Sequence, residues 1–299
     1  MGADLSVTLG SLTLQNPVMP ASGTFSTRYD RVFPLARLGA LVPKTVMPEP
    51  QPGHPPPRIA ETAGGLINAI GIPSEGLDAF IAGALAEWRT FGPPVIVSVS
   101  ASTAEGFARM CVALEAEGVA AVELNLSCPN LEAGGRSFAL DPAATGEAVA
   151  ACRAASRLPL WAKISPNAGA PVEVARAAGE AGAEVIVAGN TLLALAFDHR
   201  RRPVVANRTG GLSGAPLKPV ALRIVDEVAS LTGLPVVGCG GIATLADVLD
   251  HFAAGATAVA VGTANFARPA TMARILDELA RHCAAEGVTA RELVRRRHA

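Results

Sequence analysis

Cysteine is scarce and never clustered. Cys111, Cys128, Cys152, Cys239 and Cys283 stand apart, none within four residues of another. That spacing excludes the short ligand repeats of structural zinc sites and iron–sulfur clusters. The odd count and wide scatter point to a reduced, cytoplasmic chain rather than a disulfide framework. Long apolar runs are also missing, so no membrane span is expected. The opening MGADLSVTLG has no basic stretch followed by an apolar one, and no secretory leader is expected. Met1-Gly2 with Ser6 has the outline of a myristoylation signal, but the alternating run around it reads as a strand. Excess charge is absent as well. The formal net charge is −1, which offers no bulk attraction to nucleic acid or to an anionic membrane. The one basic run, 291-RELVRRRHA-299, reads as a solvated helix end.

What is present is apolar and small. Half of the 299 residues are hydrophobic, enough for a sizeable core, and disorder is not expected. Such a length suits one large α/β domain or two small ones. No boundary is visible, so a single domain over 1–299 is expected.

Four short apolar runs begin after a proline: 17-PVMPASG-23, 94-PVIVSVS-100, 159-PLWAKIS-165 and 235-PVVGCGG-241. Four more begin after a glycine that ends a helix: 39-GALVPKT-45, 118-GVAAVELNLS-127, 182-GAEVIVAGNT-191 and 255-GATAVAVGT-263. The two sets interleave. Runs without alternation suit strands buried on both faces of a parallel sheet. Helical patterns lie between most of them. Ser102 and Glu105 have capping-box spacing before Phe107, Met110, Cys111 and Leu114, and Ser74 is placed to cap a helix carrying Leu77, Phe80, Ile81, Leu85 and Trp88. Asp141-Pro142 is a cap followed by a first-turn proline, Thr244 precedes Leu245, Val248, Leu249 and Phe252, and a last helix begins about Pro269. Eight strands alternating with helices over this length predict an α/β fold of the (β/α)8 TIM-barrel class, with a doubly wound open sheet as the alternative. The opening 5-LSVTLGSLTLQN-16 predicts a small N-terminal β-hairpin at the barrel bottom. The stretches 48-PEPQPGHPPPR-58 and 199-HRRRPVVANRTGGLSG-214 read as long loops after strands two and six.

In such a barrel the chemistry sits at the carboxyl ends of the strands. Those ends carry Ser22, Lys44, Thr45, Ser98, Asn125 to Asn130, Lys163, Asn190, Thr191, Gly240, Gly241, Gly262 and Thr263. They are amides, hydroxyls and lysines. No set of carboxylates suggests a metal enzyme or a glycosidase. Gly240-Gly241 and Gly262-Thr263 place small residues at adjacent strand ends before helices. Bare N–H groups there suit a phosphate, the alternative being tight packing by glycine. Cys128 follows strand four between Asn125 and Asn130, with a proline next to it. The residues alone leave it open between a buried structural thiol and a catalytic one. Cys111, Cys152 and Cys283 fall in helical stretches and read as packing.

Several segments then run in a known order: ASGTF at 21–25, PKT at 43–45, ETAGGLINAIGIP at 61–73, ELNLSCPN at 123–130 and KISPN at 163–167. GNTL at 189–192, NRTGGLSG at 207–214, GCGGI at 238–242 and GTANF at 262–266 follow. Together they resemble the class 1B dihydroorotate dehydrogenases, catalytic subunit, over nearly the whole chain. Members of that family are FMN-containing barrels that oxidise dihydroorotate to orotate in pyrimidine synthesis. The resemblance implies that Ser22, Lys44, Thr45, Ser98, Asn125, Lys163 and Gly189 meet the flavin or its ribityl chain. It implies that Gly214, Gly240, Gly241, Gly262 and Thr263 hold the ribityl and phosphate end. Lys44, the segment Asn68, Ala69, Ile70, Gly71 and Ile72, and Asn125, Asn130, Asn190 and Thr191 would bind the substrate. Cys128 would be the general base. Electrons would pass to NAD+ through a separate subunit carrying FAD and a 2Fe–2S cluster, flanking a homodimer of this chain.

Three departures stand out. Ser98 replaces an asparagine usual in the family, the strand-six motif reads AGNT where a bulkier residue is common, and the following loop is one residue shorter. Other readings are a flavoenzyme that reduces uracil or thymine, a Schiff-base lyase using Lys44 or Lys163, and a non-enzymatic binding subunit.

Overall fold

A computed structural model describes residues 3–126, 132–133 and 136–295. The first elements are the antiparallel pair β1 (Val7–Leu9) and β2 (Leu12–Leu14). The Glu184 carboxylate accepts from the Ser11 N–H at 2.9 Å and the Ser11 hydroxyl at 2.6 Å, pinning the hairpin turn. Then come β3 (Val18–Pro20), the hairpin β4 (Ile59–Thr62) and β5 (Gly65–Asn68), and the short helices α1 (Leu77–Ala82) and α2 (Ala84–Arg89). Strand β6 (Ile96–Val99), helix α3 (Ala104–Ala116) and strand β7 (Ala121–Asn125) follow. After the small pair β8 (Glu132–Ala133) and β9 (Arg136–Ser137) come α4 (Pro142–Ala155), β10 (Leu160–Ile164), α5 (Pro171–Glu180) and β11 (Val185–Ala188). Strands β12 (Leu192–Ala194) and β13 (Gly210–Gly214) precede α6 (Lys218–Thr232), β14 (Val236–Cys239), α7 (Leu245–Ala253) and β15 (Ala258–Val261). Helices α8 (Ala264–Ala267), α9 (Thr271–Glu286) and α10 (Ala290–Arg295) complete the described chain.

Seven strands form one parallel sheet in the order β3-β15-β14-β11-β10-β7-β6. The expected strand at 39–45 closes the ring but is not a regular ladder. It makes only two bridges to the β6 side, Leu41↔Val95 and Val46↔Val99, while the Gly39 N–H donates to the Val18 carbonyl at 2.9 Å. Pro43, in its middle, has no N–H to donate, which is why the pairing is interrupted. The eighth place is filled nonetheless, and the fold is a (β/α)8 barrel.

Side chains alternate along each strand, so residues of one parity face the barrel axis. Met19, Ala40, Val42, Ile96, Ala121, Trp161, Val185, Val237 and Ala258 form the inner cluster, and Val7, Leu9 and Leu14 of the hairpin join it. The hairpin therefore plugs the bottom, as expected. The other parity meets the helices in a second, larger cluster that includes Val122, Leu124, Leu160, Ala162, Ile186, Val259 and the inward faces of α3, α4, α6 and α9.

Two cap assignments change. Helix α3 is capped by Thr103, not Ser102, whose neighbour's hydroxyl accepts from the Gly106 N–H at 3.0 Å. The expected helix from Ser74 is two helices split at Gly83, and Ser74 caps neither; its hydroxyl accepts from the N–H of Met47 and of Gly76 at 3.1 Å. Asp141 caps α4 and Thr244 opens α7, both as the sequence indicates, and Asp247 completes a capping box with Thr244. The long loops also hold unexpected order. Strands β12, β13, β5 and β4 form a four-stranded antiparallel sheet. It joins the segments after strands two and six at the carboxyl end of the barrel. Among the described residues no helix is long and apolar enough to cross a membrane, and no cluster of His, Cys, Asp and Glu is placed to hold a metal.

Candidate active site

The polar residues at the strand ends are ordered by contacts among themselves. Glu123 and Asn125 share the inward parity of β7, and Lys163 pairs with Asn125 across the ladder to β10. Lys163 is 3% exposed and Glu123 4%. The Lys163 Nζ lies 3.6 Å from Glu123 Oε1 and donates to the Ser22 hydroxyl at 3.0 Å. The first gap is an ion pair rather than a hydrogen bond. Glu123 Oε1 has no hydrogen-bond partner among the described residues. Burial pulls the Lys163 ammonium down most strongly, but the charge and contact of Glu123, with Cys239 beside it, together outweigh that pull and leave Lys163 above its ordinary value. The lysine is thus held as a fixed cation under the mouth. Cys239, also inward and buried, is pushed up by burial against the pull of Lys163, so it stays a neutral thiol.

A second group lies beside it. The Asn125 amide donates to Thr45 Oγ1 at 3.1 Å, and Thr45 Oγ1 is 2.9 Å from Ser98 Oγ. The Ser100 hydroxyl donates to the Asn125 carbonyl at 3.0 Å. Ser98 is fully buried within this chain of hydroxyls. The Lys44 Nζ reaches the strand-one end, 3.6 Å from where a Cβ on Gly23 would be.

The glycines differ in what demands them. A Cβ on Gly189 would sit 2.0 Å from the Cys239 carbonyl, and one on Gly241 2.4 Å from Lys218 Cβ. Those two are required by the protein's own packing, and both have positive φ, 135° and 70°. Gly262 is different: a Cβ there would meet nothing nearer than Ala21 Cβ at 3.6 Å. Neither packing nor φ requires glycine at that strand end. Bare backbone beside the Thr263 hydroxyl therefore fits the close approach of a ligand. Thr263 Oγ1 donates to Ser213 Oγ at 2.7 Å, tying the eighth strand end to β13 of the roof next to Gly214.

The candidate substrate segment 68–72 is held from both sides. The Asn68 amide donates to the Gly211 carbonyl at 3.2 Å, and Gln51 Nε2 donates to the carbonyls of Gly71 at 3.1 Å and Ile72 at 2.6 Å. The His54 N–H donates to the Ile70 carbonyl at 3.0 Å, and the His54 ring packs on Gly71. Ile72 has φ 44°, a strained value for a β-branched residue. Such strain persists where the surroundings over-determine it, often at functional sites. Across the mouth, Asn190 Oδ1 accepts from the Thr191 N–H at 2.8 Å, and the Asn167 amide donates to the Thr191 carbonyl at 3.1 Å.

These contacts bring Ser22, Lys163, Asn125, Thr45 and Ser98 into linked clusters, and Thr263 into contact with the strand that ends in Gly214. Cys128 and Asn130 lie outside the described residues. Sequence reasoning missed Glu123, Gln51, His54, Asn167 and Ser213. Glu123, Asn167 and Ser213 stood in the quoted ELNLSCPN, KISPN and NRTGGLSG motifs and Gln51 and His54 in the Pro-rich stretch, but none carried a spacing signal of its own. Two outer hollows, of about 550 Å3 between α3 and α4 and about 420 Å3 beside Arg37 and Asp277, hold none of these residues.

The profile of the dihydroorotate dehydrogenase family matches residues 4–283. The chain belongs to the dihydroorotate dehydrogenase family. Relatives named dihydroorotate dehydrogenase B (NAD(+)), catalytic subunit, include one from Trichlorobacter lovleyi, 45% identical over 288 residues and covering 95% of each chain. Another, from Listeria monocytogenes, is 40% identical over 289 residues with the same coverage. A crystal structure of DHODH from Eimeria tenella in complex with ferulenol superposes with a TM-score of 0.77. It is 24% identical and covers 97% of this chain and 88% of that one, which establishes the fold. The Schiff-base reading fails at Lys163 on local electrostatics. An amine nucleophile must be neutral, and Glu123 keeps this one charged.

Proposed function

We propose that residues 1–299 form a single FMN-binding barrel domain that oxidises dihydroorotate to orotate in pyrimidine synthesis. The observation that carries this is the near full-length identity to relatives named as catalytic subunits of dihydroorotate dehydrogenase B. The strand-end groups fit the cofactor. Gly262 leaves backbone bare where packing does not require it, and Lys163 presents a fixed cation. Ser22, Lys44, Thr45, Ser98, Asn125, Lys163 and Gly189 would hold the flavin side, and Gly214, Gly240, Gly241, Gly262 and Thr263 the phosphate side. Bound FMN would supply a two-electron acceptor.

The chain's own groups do the rest. Lys44, Asn68 to Ile72, Asn125, Asn130, Asn190 and Thr191 would bind dihydroorotate. Its ring amides, carbonyls and carboxylate need both donors and acceptors in a dry site, and asparagine offers each on one short side chain. Cys128 would take the proton from one ring carbon while the hydride leaves the neighbouring one. A free thiol ionises near pH 8.5, so at neutral pH roughly a few per cent is the thiolate that acts as base. Lys163 would stabilise negative charge arriving beside it, because its own charge is already oriented.

We assign the passage of electrons to NAD+ to a second subunit carrying FAD and a 2Fe–2S cluster, flanking a cytoplasmic homodimer of this chain. The relatives' designation as catalytic subunits supports that reading.

The deciding experiment is anaerobic mixing of the yellow protein with dihydroorotate. The flavin band should bleach, and orotate should shift the spectrum while uracil leaves it unchanged. A response to uracil alone would replace this reading with a uracil- or thymine-reducing one. Gly262→Ala gives a finer test of the phosphate side. The variant should keep its urea midpoint, with a change within about 0.5 kcal/mol. FMN should bind it at least about ten-fold more weakly, since a methyl group would stand where the ligand approaches. Unchanged FMN affinity would remove Gly262 from the site.

A further inference from the structure

One buried side chain outside the groups named so far reaches the glycine pair. His251, on the inner face of α7, is fully buried. Its Nε2 is 3.0 Å from the Gly240 carbonyl oxygen. Its Nδ1 has no hydrogen-bond partner among the described residues. Burial, with Lys218 nearby, holds the imidazole below its ordinary pKa against the opposing pull of the Gly240 contact, Asp247 and Asp250. A neutral ring facing a carbonyl must carry its proton on that nitrogen, so Nε2–H donates to Gly240. Room for the ring is built into the strand below. A Cβ on Gly238 would lie 2.4 Å from His251 Nδ1.

The peptide that joins Gly240 to Gly241 is trans, so its carbonyl and its N–H point in opposite directions. Both residues are glycines at positive φ, 138° and 70°, which gives this peptide more freedom to rotate than most. On one side it is packed by Ala221 and Lys218 of α6. On the other, its only side-chain hydrogen bond among the described residues is the one from His251.

We propose that His251 is a positioning residue for phosphate recognition: by holding the Gly240 carbonyl against α7, it turns the Gly241 N–H outward as a fixed donor to the cofactor phosphate. This rests on the placement of the FMN phosphate at Gly240–Gly241. It assigns to a helix interior a job that the strand-end residues do not do for themselves. A preset donor needs no reorganisation on binding, which is where the affinity gain arises.

The test compares FMN with riboflavin, which lacks the phosphate, by fluorescence titration of the apoprotein. Wild type should bind FMN much more tightly than riboflavin. His251→Met and His251→Leu both keep an apolar filling and remove the donor, so the test does not hang on one variant folding. Each should bind FMN about ten-fold more weakly, the loss expected from one hydrogen bond to a charged recognition site, with riboflavin affinity unchanged. His251→Gln, which retains a donor, should recover part of the preference. Equal weakening of both ligands would mark His251 as merely structural and overturn the proposal, as would unaltered FMN binding. If wild type itself did not prefer FMN, the phosphate placement would fall first, and this proposal with it.

Discussion

Replacing Cys128 by serine should slow flavin reduction by dihydroorotate about 10²- to 10⁴-fold at neutral pH, the range of a lost general base. The hydroxyl keeps the shape and gives up the readily ionised group. FMN should stay bound, because the substitution leaves Asn125 on the same strand end and the cofactor groups of the other strand ends in place. The wild-type rate should climb with pH as the thiol ionises, and the serine variant should lose that rise. Stopped-flow reduction from pH 6 to 10 measures both. An unimpaired rate, or an identical pH profile in the variant, would take Cys128 out of the mechanism.

Lys163→Met should be the most damaging change to stability within the barrel. It leaves the Glu123 carboxylate buried opposite a thioether, with no cation and with one oxygen already lacking a hydrogen bond. Breaking a buried pair from one side costs about 3–5 kcal/mol, whereas removing both charges is often neutral. The double variant Lys163→Met with Glu123→Leu should therefore recover most of the lost stability. Urea midpoints decide it: a single variant as stable as wild type, or a double variant no better than the single, would refute the account. The double variant should still reduce its flavin poorly, because stability returns without the cation. That split separates the fold role of Lys163 from its chemical one.

The strands were legible because each is a short apolar run buried on both faces, opened by a proline or a helix-ending glycine. Segment 39–46 shows the limit. Its composition marks it as a strand, but Pro43 removes a donor and leaves bridges in place of a ladder. The strand-end polar residues were legible because the fold class says where to look. Glu123 was not, since a lone carboxylate in an apolar run has no spacing. Its meaning appears only when β7 and β10 pair in register and bring Lys163 to it. His251 likewise lies on a helix face shared with Val248 and Phe252, where it reads as one more buried residue. The hairpin at 59–68 did leave a trace. Thr62 pairs with Gly65 across a two-residue Ala63-Gly64 turn, and Gly64 supplies the positive φ of 76° there. The Pro-rich stretch before it drew the reading toward loop instead.

The antiparallel roof has a consequence for assembly. Asn68 and Gly211 meet across it although 143 residues separate them along the chain. A contact so distant is entropically expensive in an open chain and becomes cheap only once the intervening strands have brought its ends together. The roof over the strand ends is therefore expected to set late, after the walls that bring its two halves together.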